Sequence, residues 1–303
     1  MAIYLATKTL AKINHSIRKD QGNSYRAYLG RVIPHIGDAY RQDESPFRGH
    51  LGASGIGDSC ARKIWYSFRW SAVKTFDGRI LRLFNRGHLE EARFIAMLLS
   101  AGIDVYQQDA DGNQFRISDA GGHFGGSGDG VLIGVPDVPE GLPCLGEFKT
   151  SGEKPFFKLK KEGMRKAKFE HFIQVQCYMR KMGLAVALYM VVNKNTDELY
   201  AEIVPLDTVI ADEFISRGVS IVFADTPPTR ISDTPGWYEC KWCDFSSVCH
   251  QGKAPMKTCR SCKHSRPHAD GQWYCENPQL HRSPKPITTQ EQIAACPSYE
   301  RKF

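Results

Sequence analysis

The sequence of 303 residues has no long apolar run. Its longest apolar stretch, residues 185–192, has the length of a strand, and the opening segment MAIYLATKTLAKINHSIRK has no signal-peptide core. Internal repeats and low-complexity tracts are absent as well. These absences argue against a membrane protein and against a repeat protein. We therefore expect a soluble, intracellular protein of the cytoplasm.

The chain also lacks a strong excess of one charge, since its formal net charge is only +7. Such a charge permits a polyanionic partner without requiring one. Cysteine, in contrast, is plentiful: there are ten, and seven of them fall within residues 240–296. In an intracellular chain, cysteines distributed so unevenly are better explained as metal ligands than as disulfides.

The hydrophobic periodicity predicts an α/β protein. The predicted strands are residues 103–107, 113–118, 128–135, 144–150, 186–192 and 199–204, and the last two form a hairpin. The predicted helices are one or two within residues 1–50, followed by 79–100, 158–182 and 208–222. This order predicts a mixed sheet flanked by helices. From residue 226 onward, proline and cysteine mark a second region.

An acidic pair with a lysine is the sharpest chemical signal. Asp129 begins one predicted strand, and Glu147 and Lys149 share a face near the end of the next. If the two strands pair, the carboxylates become neighbours, which is costly unless a divalent cation neutralises them. The lysine could orient or deprotonate a water, or stabilise charge on a phosphate. The plainer alternative is a set of solvated charges at strand ends.

Two helical pairs accompany this cluster. His88 and Glu91 lie three residues apart and share a helix face, so both could reach one metal, whereas Glu90 is expected to point elsewhere and to be exposed. Gln174 and Tyr178 lie four residues apart on a later helix. For that pair, structural hydrogen bonding and substrate contact are both open.

In this order, the residues resemble the PD-(D/E)XK nucleases of the RecB/AddB branch, and more distantly the lambda exonuclease group. The family pattern is a helix with His or Glu after a glycine, then Asp, then (D/E)xK, then QxxxY. The matching residues are Gly87, His88, Glu91, Asp129, Glu147, Lys149, Gln174 and Tyr178. No proline precedes Asp129, a departure that the branch tolerates. The resemblance covers residues 55–250.

The resemblance implies a restriction-endonuclease-like core that binds Mg²⁺ or Mn²⁺. The implied metal ligands are Asp129, Glu147, the carbonyl of Phe148, and either His88 or Glu91. Lys149 would be the catalytic lysine, with Gln174 and Tyr178 completing the site.

The implied activity is that of a metal-dependent deoxyribonuclease. Within the family, a free-standing phage or bacterial exonuclease that acts on DNA ends or single strands in recombination or repair fits best. Its partners would be DNA and a recombination protein. The alternatives are a catalytically silent DNA-binding or adaptor protein and a restriction-type endonuclease.

A first cysteine set follows the predicted core. Cys240, Cys243 and Cys249 have ligand spacing, and the fourth ligand is either Cys60 or His250. The residues alone permit a zinc site with His250 or a [4Fe–4S] cluster on the four cysteines. One upstream cysteine before C-x2-C-x5-C is similar to AddB and to the CRISPR-associated RecB-like nucleases. That resemblance implies an iron–sulfur cluster closing a nuclease core of residues 51–250.

A second cysteine set lies in residues 251–303, which we predict to be a separate C-terminal module. At the other end of the chain, residues 1–50 are predicted to be an N-terminal helical extension. We expect a structural Zn²⁺ site here, with His264 and His268 as alternative ligands. The plainer alternative is four free thiols in a tail. The members of this set are Cys259, Cys262, Cys275 and Cys296.

A basic and aromatic segment, residues 154–172, follows the (D/E)xK strand. It holds seven Lys or Arg and four Phe. Phosphate contacts and base stacking are predicted for it. A solvated helix face is the plainer explanation of its lysines.

Overall fold

A computed structural model describes residues 2–40 and 45–303, so residues 1 and 41–44 of the predicted N-terminal extension lie outside the described part. The chain forms two compact units. The first comprises Met1–Glu44, Phe76–Ile117 and Ser127–Asp212, and the second comprises Ser45–Thr75, Ser118–Gly126 and Glu213–Phe303. The prediction divides the chain into consecutive domains at residues 50 and 250. In the structure, each unit instead combines three segments that are separated in sequence.

The regular elements alternate along the chain. The helices are α1 Thr7–Lys19, α2 Asn23–Val32, α3 Ala61–Phe68, α4 Gly78–Ser100, α5 Glu153–Ala167, α6 Phe169–Met182, α7 Thr208–Phe223, α8 Tyr238–Lys241, α9 Ser246–Gln251 and α10 Thr289–Ala294. The strands are β1 Leu51–Gly52, β2 Asp104–Tyr106, β3 Arg116–Asp119, β4 Phe124–Ser127, β5 Gly130–Ile133, β6 Cys144–Ser151, β7 Val186–Asn193, β8 Leu199–Pro205, β9 Ser265–Pro267, β10 Trp273–Cys275 and β11 Lys285–Ile287.

The first unit is built on a mixed sheet, as predicted. Its strand order is β2-β5-β6-β7-β8. Only the β6–β7 pair is parallel among these neighbours; β2–β5, β5–β6 and β7–β8 are antiparallel. The predicted pairing of the strands after Asp129 and around Glu147 is therefore confirmed, as is the hairpin that β7 and β8 form.

Helices cover both faces of this sheet. On one face, Phe94 of α4 stacks on Phe148 of β6, with ring centroids 5.2 Å apart. Ile13 of α1 and Met190 of β7 belong to the same buried cluster. Side chains alternate along a strand, so Glu147 and Lys149 point to the opposite face, where α6 packs.

The predicted helix over residues 158–182 needs one correction. The structure has two helices there, α5 and α6, and α5 begins earlier, at Glu153. Gly163 inside α5 has φ +73° and ψ 168°, outside the helical region, and a Cβ at this position would meet Cγ1 of Ile3 at 2.9 Å. Glycine is thus required where the chain turns beside the N-terminal segment.

The second unit contains a three-stranded antiparallel sheet, in the order β11-β10-β9. Arg69 and Arg260 are buried among the aromatic residues of this unit. Arg260 is 2% exposed, and its guanidinium lies 3.7 Å from the ring centre of Trp70 and 4.6 Å from that of Trp273. Burial is the main cause that lowers the pKa of Arg260 to about 9, followed by the charge of Arg69.

Hydrogen bonds give the Arg260 guanidinium its partners. It donates to the side-chain oxygen of Gln292 at 2.9 Å and to the backbone carbonyls of Phe68 at 3.1 Å and Gly49 at 2.9 Å. These bonds join residues near position 50 to the cysteine-rich segment after residue 251. The segment therefore belongs to the folded core of the second unit.

Among the described residues, no helix combines the length and apolarity needed to span a bilayer.

Candidate active site and metal centres

The carboxylates of Asp129 and Glu147 are positioned by neighbouring strands of the first unit. Asp129 directly precedes β5, whose first residue, Gly130, pairs with Gly146 of β6. The Oδ2 atom of Asp129 accepts a hydrogen bond from the backbone N–H of Phe148 at 2.7 Å. A Cβ at Gly130 would lie 2.9 Å from the carbonyl oxygen of Tyr106, so glycine permits the close approach of β2. The backbone thus fixes where Asp129 sits.

Glu147 is a fully buried acid, with 0% of its surface exposed. Its Oε1 forms an ion pair with Nζ of Lys149, whereas no hydrogen-bond donor among the described residues reaches its Oε2. Burial raises the pKa of Glu147, and the charge of Asp129 adds to the increase while Lys149 opposes it. An acid held in this way lacks a full set of partners.

Lys149 lies beside both acids, and its side chain is 27% exposed. Burial alone would lower its pKa, but the charges of Glu147 and Asp129 outweigh burial, so the net shift is upward. The lysine is therefore an ammonium at neutral pH. It is suited to stabilise negative charge rather than to accept a proton.

Gln174 and Tyr178 face this acidic pair from α6. Both are buried, with 7% and 3% of their surface exposed. The side chain of Gln174 is hydrogen-bonded to the Tyr178 hydroxyl. Burial raises the pKa of Tyr178, and the negative charge of Glu147 raises it further. The structure thus brings together Asp129, Glu147, Lys149, Gln174 and Tyr178.

Two residues that sequence reasoning missed complete the surroundings of Lys149. Tyr189 of β7 is the register partner of Glu147, and its hydroxyl lies 2.8 Å from Nδ1 of His171 on α6. Burial, followed by the charges of Lys149 and Lys168, lowers the pKa of His171 to about 3. His171 is therefore neutral, and its Nδ1 shares a hydrogen bond with the Tyr189 hydroxyl. The register of β7 against β6 is the signal that would have found Tyr189.

The predicted helix ligands lie on α4, whose Phe94 covers the other face of β6. His88 and Glu91 are half-buried there. The expectation that Glu90 is exposed is wrong, because 5% of its surface is accessible and it forms an ion pair with Arg93 at 3.0 Å. Arg93 also donates to the hydroxyl of Tyr25 at 3.3 Å. These interactions compensate for the burial of the Glu90 charge.

Within residues 2–40 and 45–303, no three His, Cys, Asp or Glu side chains are arranged as a ready metal site. The structure accordingly groups Asp129 with Glu147 but adds neither His88 nor Glu91 to them. Which of the two helix residues ligates a metal stays a prediction.

The first cysteine set is gathered within the second unit. Cys60 immediately precedes α3, and the turn around the C-x2-C motif is closed by the Cys243 N–H, which donates to the Cys240 carbonyl at 3.2 Å. Burial raises the pKa of the Cys240 thiol, and the neighbouring thiols of Cys60 and Cys249 raise it further. Cys60 thus lies near Cys240 and Cys249, although within the described residues the set is not arranged as a ready metal site, and the choice between Cys60 and His250 as the fourth ligand stays a prediction.

Basic groups surround these thiols. The guanidinium of Arg62 lies 4.0 Å from Sγ of Cys249, and Arg230 donates to the Cys249 carbonyl at 2.5 Å. Lys63 lowers the pKa of Cys243, although burial, the larger effect, raises it. Positive charge near cysteine side chains favours their thiolate form, which is the form that binds metal ions.

The second cysteine set converges around the small sheet of the second unit. Burial, followed by the thiols of Cys262, Cys296 and Cys275, raises the pKa of Cys259 to about 12. The Cys262 N–H donates to the Cys259 carbonyl at 2.9 Å, and Cys275 ends β10. The structure thus brings these thiols near one another without arranging them as a ready metal site among the described residues, and the zinc site stays a prediction.

The alternative histidine ligands have other partners. Nε2 of His264 lies 2.8 Å from Glu300, and Nε2 of His268 lies 2.9 Å from Glu276. Whether the four cysteines or one of these histidines bind a metal stays a prediction.

The basic segment of residues 154–172 is divided between core and surface. Phe156 and Phe172 are buried, whereas Phe157 is 50% and Phe169 is 42% exposed. Several of its cations have acidic partners: Lys160 pairs with Glu198, Lys158 with Glu162 at 3.9 Å, and Arg165 with Asp207 at 3.5 Å. Half of the predicted stacking residues are thus core residues.

No protein-family model and no curated protein sequence matches the chain. Among solved structures, it is similar to an alkaline exonuclease (LHK-Exo) from Laribacter hongkongensis, with 16% identity and a TM-score of 0.40 over 57% of this chain and 86% of that chain. The same enzyme in complex with dAMP matches at 15% identity and a TM-score of 0.40, over 57% and 86%. SSO0001 matches at 14% identity and a TM-score of 0.38, over 74% and 95%. The account of the site rests on the geometry of this chain.

Proposed function

We propose that this protein is a divalent-metal-dependent DNA nuclease of the PD-(D/E)XK type. The observation that supports the proposal is the buried carboxylate of Glu147, which lies beside Asp129. Its Oε1 is paired with Lys149, whereas its Oε2 has no hydrogen-bond donor among the described residues. All three residues come from two adjacent antiparallel strands. The site thus combines the carboxyl groups of Asp129 and Glu147 with the ammonium group of Lys149.

The acidic pair fits Mg²⁺ or Mn²⁺. One oxygen of Asp129 is occupied by the Phe148 N–H, which leaves the other oxygen for a cation, and Oε2 of Glu147 has no hydrogen-bond donor among the described residues. Hard divalent cations prefer such oxygen ligands. In our proposal, Asp129, Glu147 and the Phe148 carbonyl hold the cation, with His88 or Glu91 as a further ligand. When bound, the cation supplies Lewis-acid stabilisation of the phosphate.

The remaining side chains act on the phosphate and on one another. Lys149 carries a positive charge, so it stabilises the negative charge that develops on the phosphate oxygens during attack of water. The Oε1 ion pair orients the ammonium toward Glu147, and Tyr189 borders it on the β7 side. Gln174 and Tyr178 wall the site from α6 and limit the access of bulk water.

We further propose an exonuclease that acts on DNA ends or single strands, in recombination or repair and beside a recombination protein. End-labelled linear DNA and circular DNA of the same sequence distinguish the modes of cleavage. Stepwise shortening of linear DNA with circular DNA intact supports the exonuclease. Cleavage of the circle would support a restriction-type endonuclease, and metal binding without any cleavage would support a silent DNA-binding protein.

The cysteine sets are proposed as two structural metal centres: a [4Fe–4S] cluster on Cys60, Cys240, Cys243 and Cys249, and Zn²⁺ on the second set. Iron and zinc contents of anaerobically purified protein test this pair of assignments. Cys240→Ser is expected to lose iron while zinc remains, and Cys259→Ser to lose zinc while iron remains. Cys177→Ser, a change at a buried thiol of the first unit, is the control and should alter neither content. Zinc at both sets would contradict the iron–sulfur assignment.

A further inference from the structure

The N-terminal half of α4 projects from the first unit. Residues 76–86 are exposed apart from Ile80, whereas Ala92 and residues 94–98 further along the same helix are buried. Side chains at the base of the projecting half are anchored: Asn85 donates to the Ala39 carbonyl at 2.8 Å, and Arg86 donates to the Lys194 carbonyl at 3.2 Å. This segment, residues 76–86, is called the α4 arm below.

The α4 arm exposes large apolar side chains. Phe76 is 45%, Leu81 is 52% and Phe84 is 44% exposed. The rings of Phe76 and Phe84 meet edge to face, with centroids 5.0 Å apart and an interplanar angle of 84°. Both side chains are thus partly exposed to solvent, where a flat partner could stack on an aromatic ring.

Arginines form a second side of the arm. Arg79, Arg82 and Arg86 follow the i, i+3, i+7 spacing that places residues along one stripe of a helix. Within residues 2–40 and 45–303, neither Arg79 nor Arg82 has an acidic partner. Helical geometry puts Phe84 on roughly the opposite side from Arg82, because two residues correspond to about 200° of rotation. The arm thus offers uncompensated positive charge on one side and aromatic faces on the other.

We propose that the α4 arm binds a single strand of DNA that crosses the helix, with phosphates of the strand on the arginine stripe and an unpaired base of the same strand stacked on Phe84. The proposal rests on the proposed nuclease function. A single-stranded nucleic acid has both the anionic backbone and the flat apolar groups that this surface complements, and the proposed deoxyribonuclease activity selects DNA. A base inside a duplex is already stacked and paired, so the surface selects single-stranded DNA or frayed ends. His88 and Glu91, the proposed helix ligands, lie one to two turns further along the same helix.

Fluorescence anisotropy of fluorescein-labelled oligothymidine and of a blunt duplex tests this surface, with Asp129→Asn as the background to prevent cleavage. Phe84→Ala is expected to weaken oligothymidine binding about tenfold, because stacking on one aromatic side chain is lost, and to leave duplex binding unchanged. Arg82→Ala is expected to weaken binding of both and to reduce the salt slope for the single strand by about 0.7.

Matched surface changes serve as controls: Tyr106→Ala removes an aromatic side chain that is 48% exposed on β2, and Arg31→Ala removes an exposed cation of α2. Wild-type-like affinity of both arm variants would overturn the proposal. So would a dimer that Phe84→Ala dissociates without loss of DNA affinity, since the arm would then be an interface between copies of the chain. Arm-dependent binding of oligothymidine by a chain that never cleaves DNA would refute the nuclease function and leave the surface standing.

Discussion

Asp129 has two separable roles, and two substitutions distinguish them. Its carboxylate accepts a short hydrogen bond from the Phe148 N–H, at 2.7 Å, and it is a proposed metal ligand. Asp129→Ala removes both functions. Asp129→Asn retains an oxygen that accepts the Phe148 N–H but removes the charge that a divalent cation requires.

The magnitudes follow from these contacts. A hydrogen bond to a charged group contributes about 1.5–3 kcal/mol, so Asp129→Ala should lower the free energy of unfolding of the metal-free protein by about 2 kcal/mol. Asp129→Asn should stay within about 1 kcal/mol of the wild type, because the bond persists and the repulsion of Glu147 is relieved. Both variants should lose cleavage by at least about 10³-fold, which corresponds to about 4 kcal/mol of transition-state stabilisation.

Urea unfolding in EDTA measures the stability, and cleavage of end-labelled DNA measures the activity. Asp137 provides the matched control, since its carboxylate accepts hydrogen bonds from the N–H of Thr9 at 2.7 Å and from its hydroxyl at 2.6 Å, elsewhere in the first unit. Asp137→Ala should destabilise the protein yet retain cleavage per folded molecule. If Asp129→Asn cleaves at the wild-type rate, the site assignment is wrong; if it is as unstable as Asp129→Ala, the role given to the hydrogen bond is wrong.

Two further changes test other parts of the structure. Arg260→Leu removes the buried guanidinium and its three hydrogen bonds, so the second unit should lose about 3–5 kcal/mol of stability in urea, whereas the exposed Arg301→Leu should lose less than about 0.5 kcal/mol; equal midpoints would contradict the role of Arg260. Tyr189→Phe removes the hydrogen bond to His171 beside Lys149, so the maximal cleavage rate should fall about tenfold while DNA affinity is retained. A parallel loss of affinity, or no change in rate, would show that Tyr189 does not position the site.

The order of secondary structure followed from local patterns. The helix from Gly78 to Ser100 and the β7–β8 hairpin were readable because their apolar periodicity is strong and their ends carry turn residues. The break in the helix at Gly163 could not be predicted from the sequence. A glycine within a basic helical pattern does not reveal that Ile3, which is distant in sequence, packs against it. Long-range contact decided that element.

The acidic site was likewise readable only in part. The period of two along β6 places Glu147 and Lys149 on one face, and the structure pairs them. Tyr189 and His171 escaped notice because their approach depends on the register of β7 against β6 and on the position of α6. Glu90 was expected in solvent because its compensating partner, Arg93, was not considered.

The division into two units could not be read along the chain. Residues near position 50 and residues after 251 belong to one unit because Arg260 bonds to the carbonyls of Phe68 and Gly49. Composition shows a change of region near residue 226 but does not show which earlier segment folds with it. Contacts between distant segments carry that information.

The most direct test is cleavage of end-labelled linear DNA, single- and double-stranded, by anaerobically purified protein with Mg²⁺, with Mn²⁺ and with EDTA. The account predicts shortening of the labelled strand with either cation, none in EDTA, and none with Lys149→Met in any buffer. Wild-type protein with its metals bound that leaves both DNAs intact in every buffer, or a Lys149→Met variant that cleaves at the wild-type rate, would contradict it.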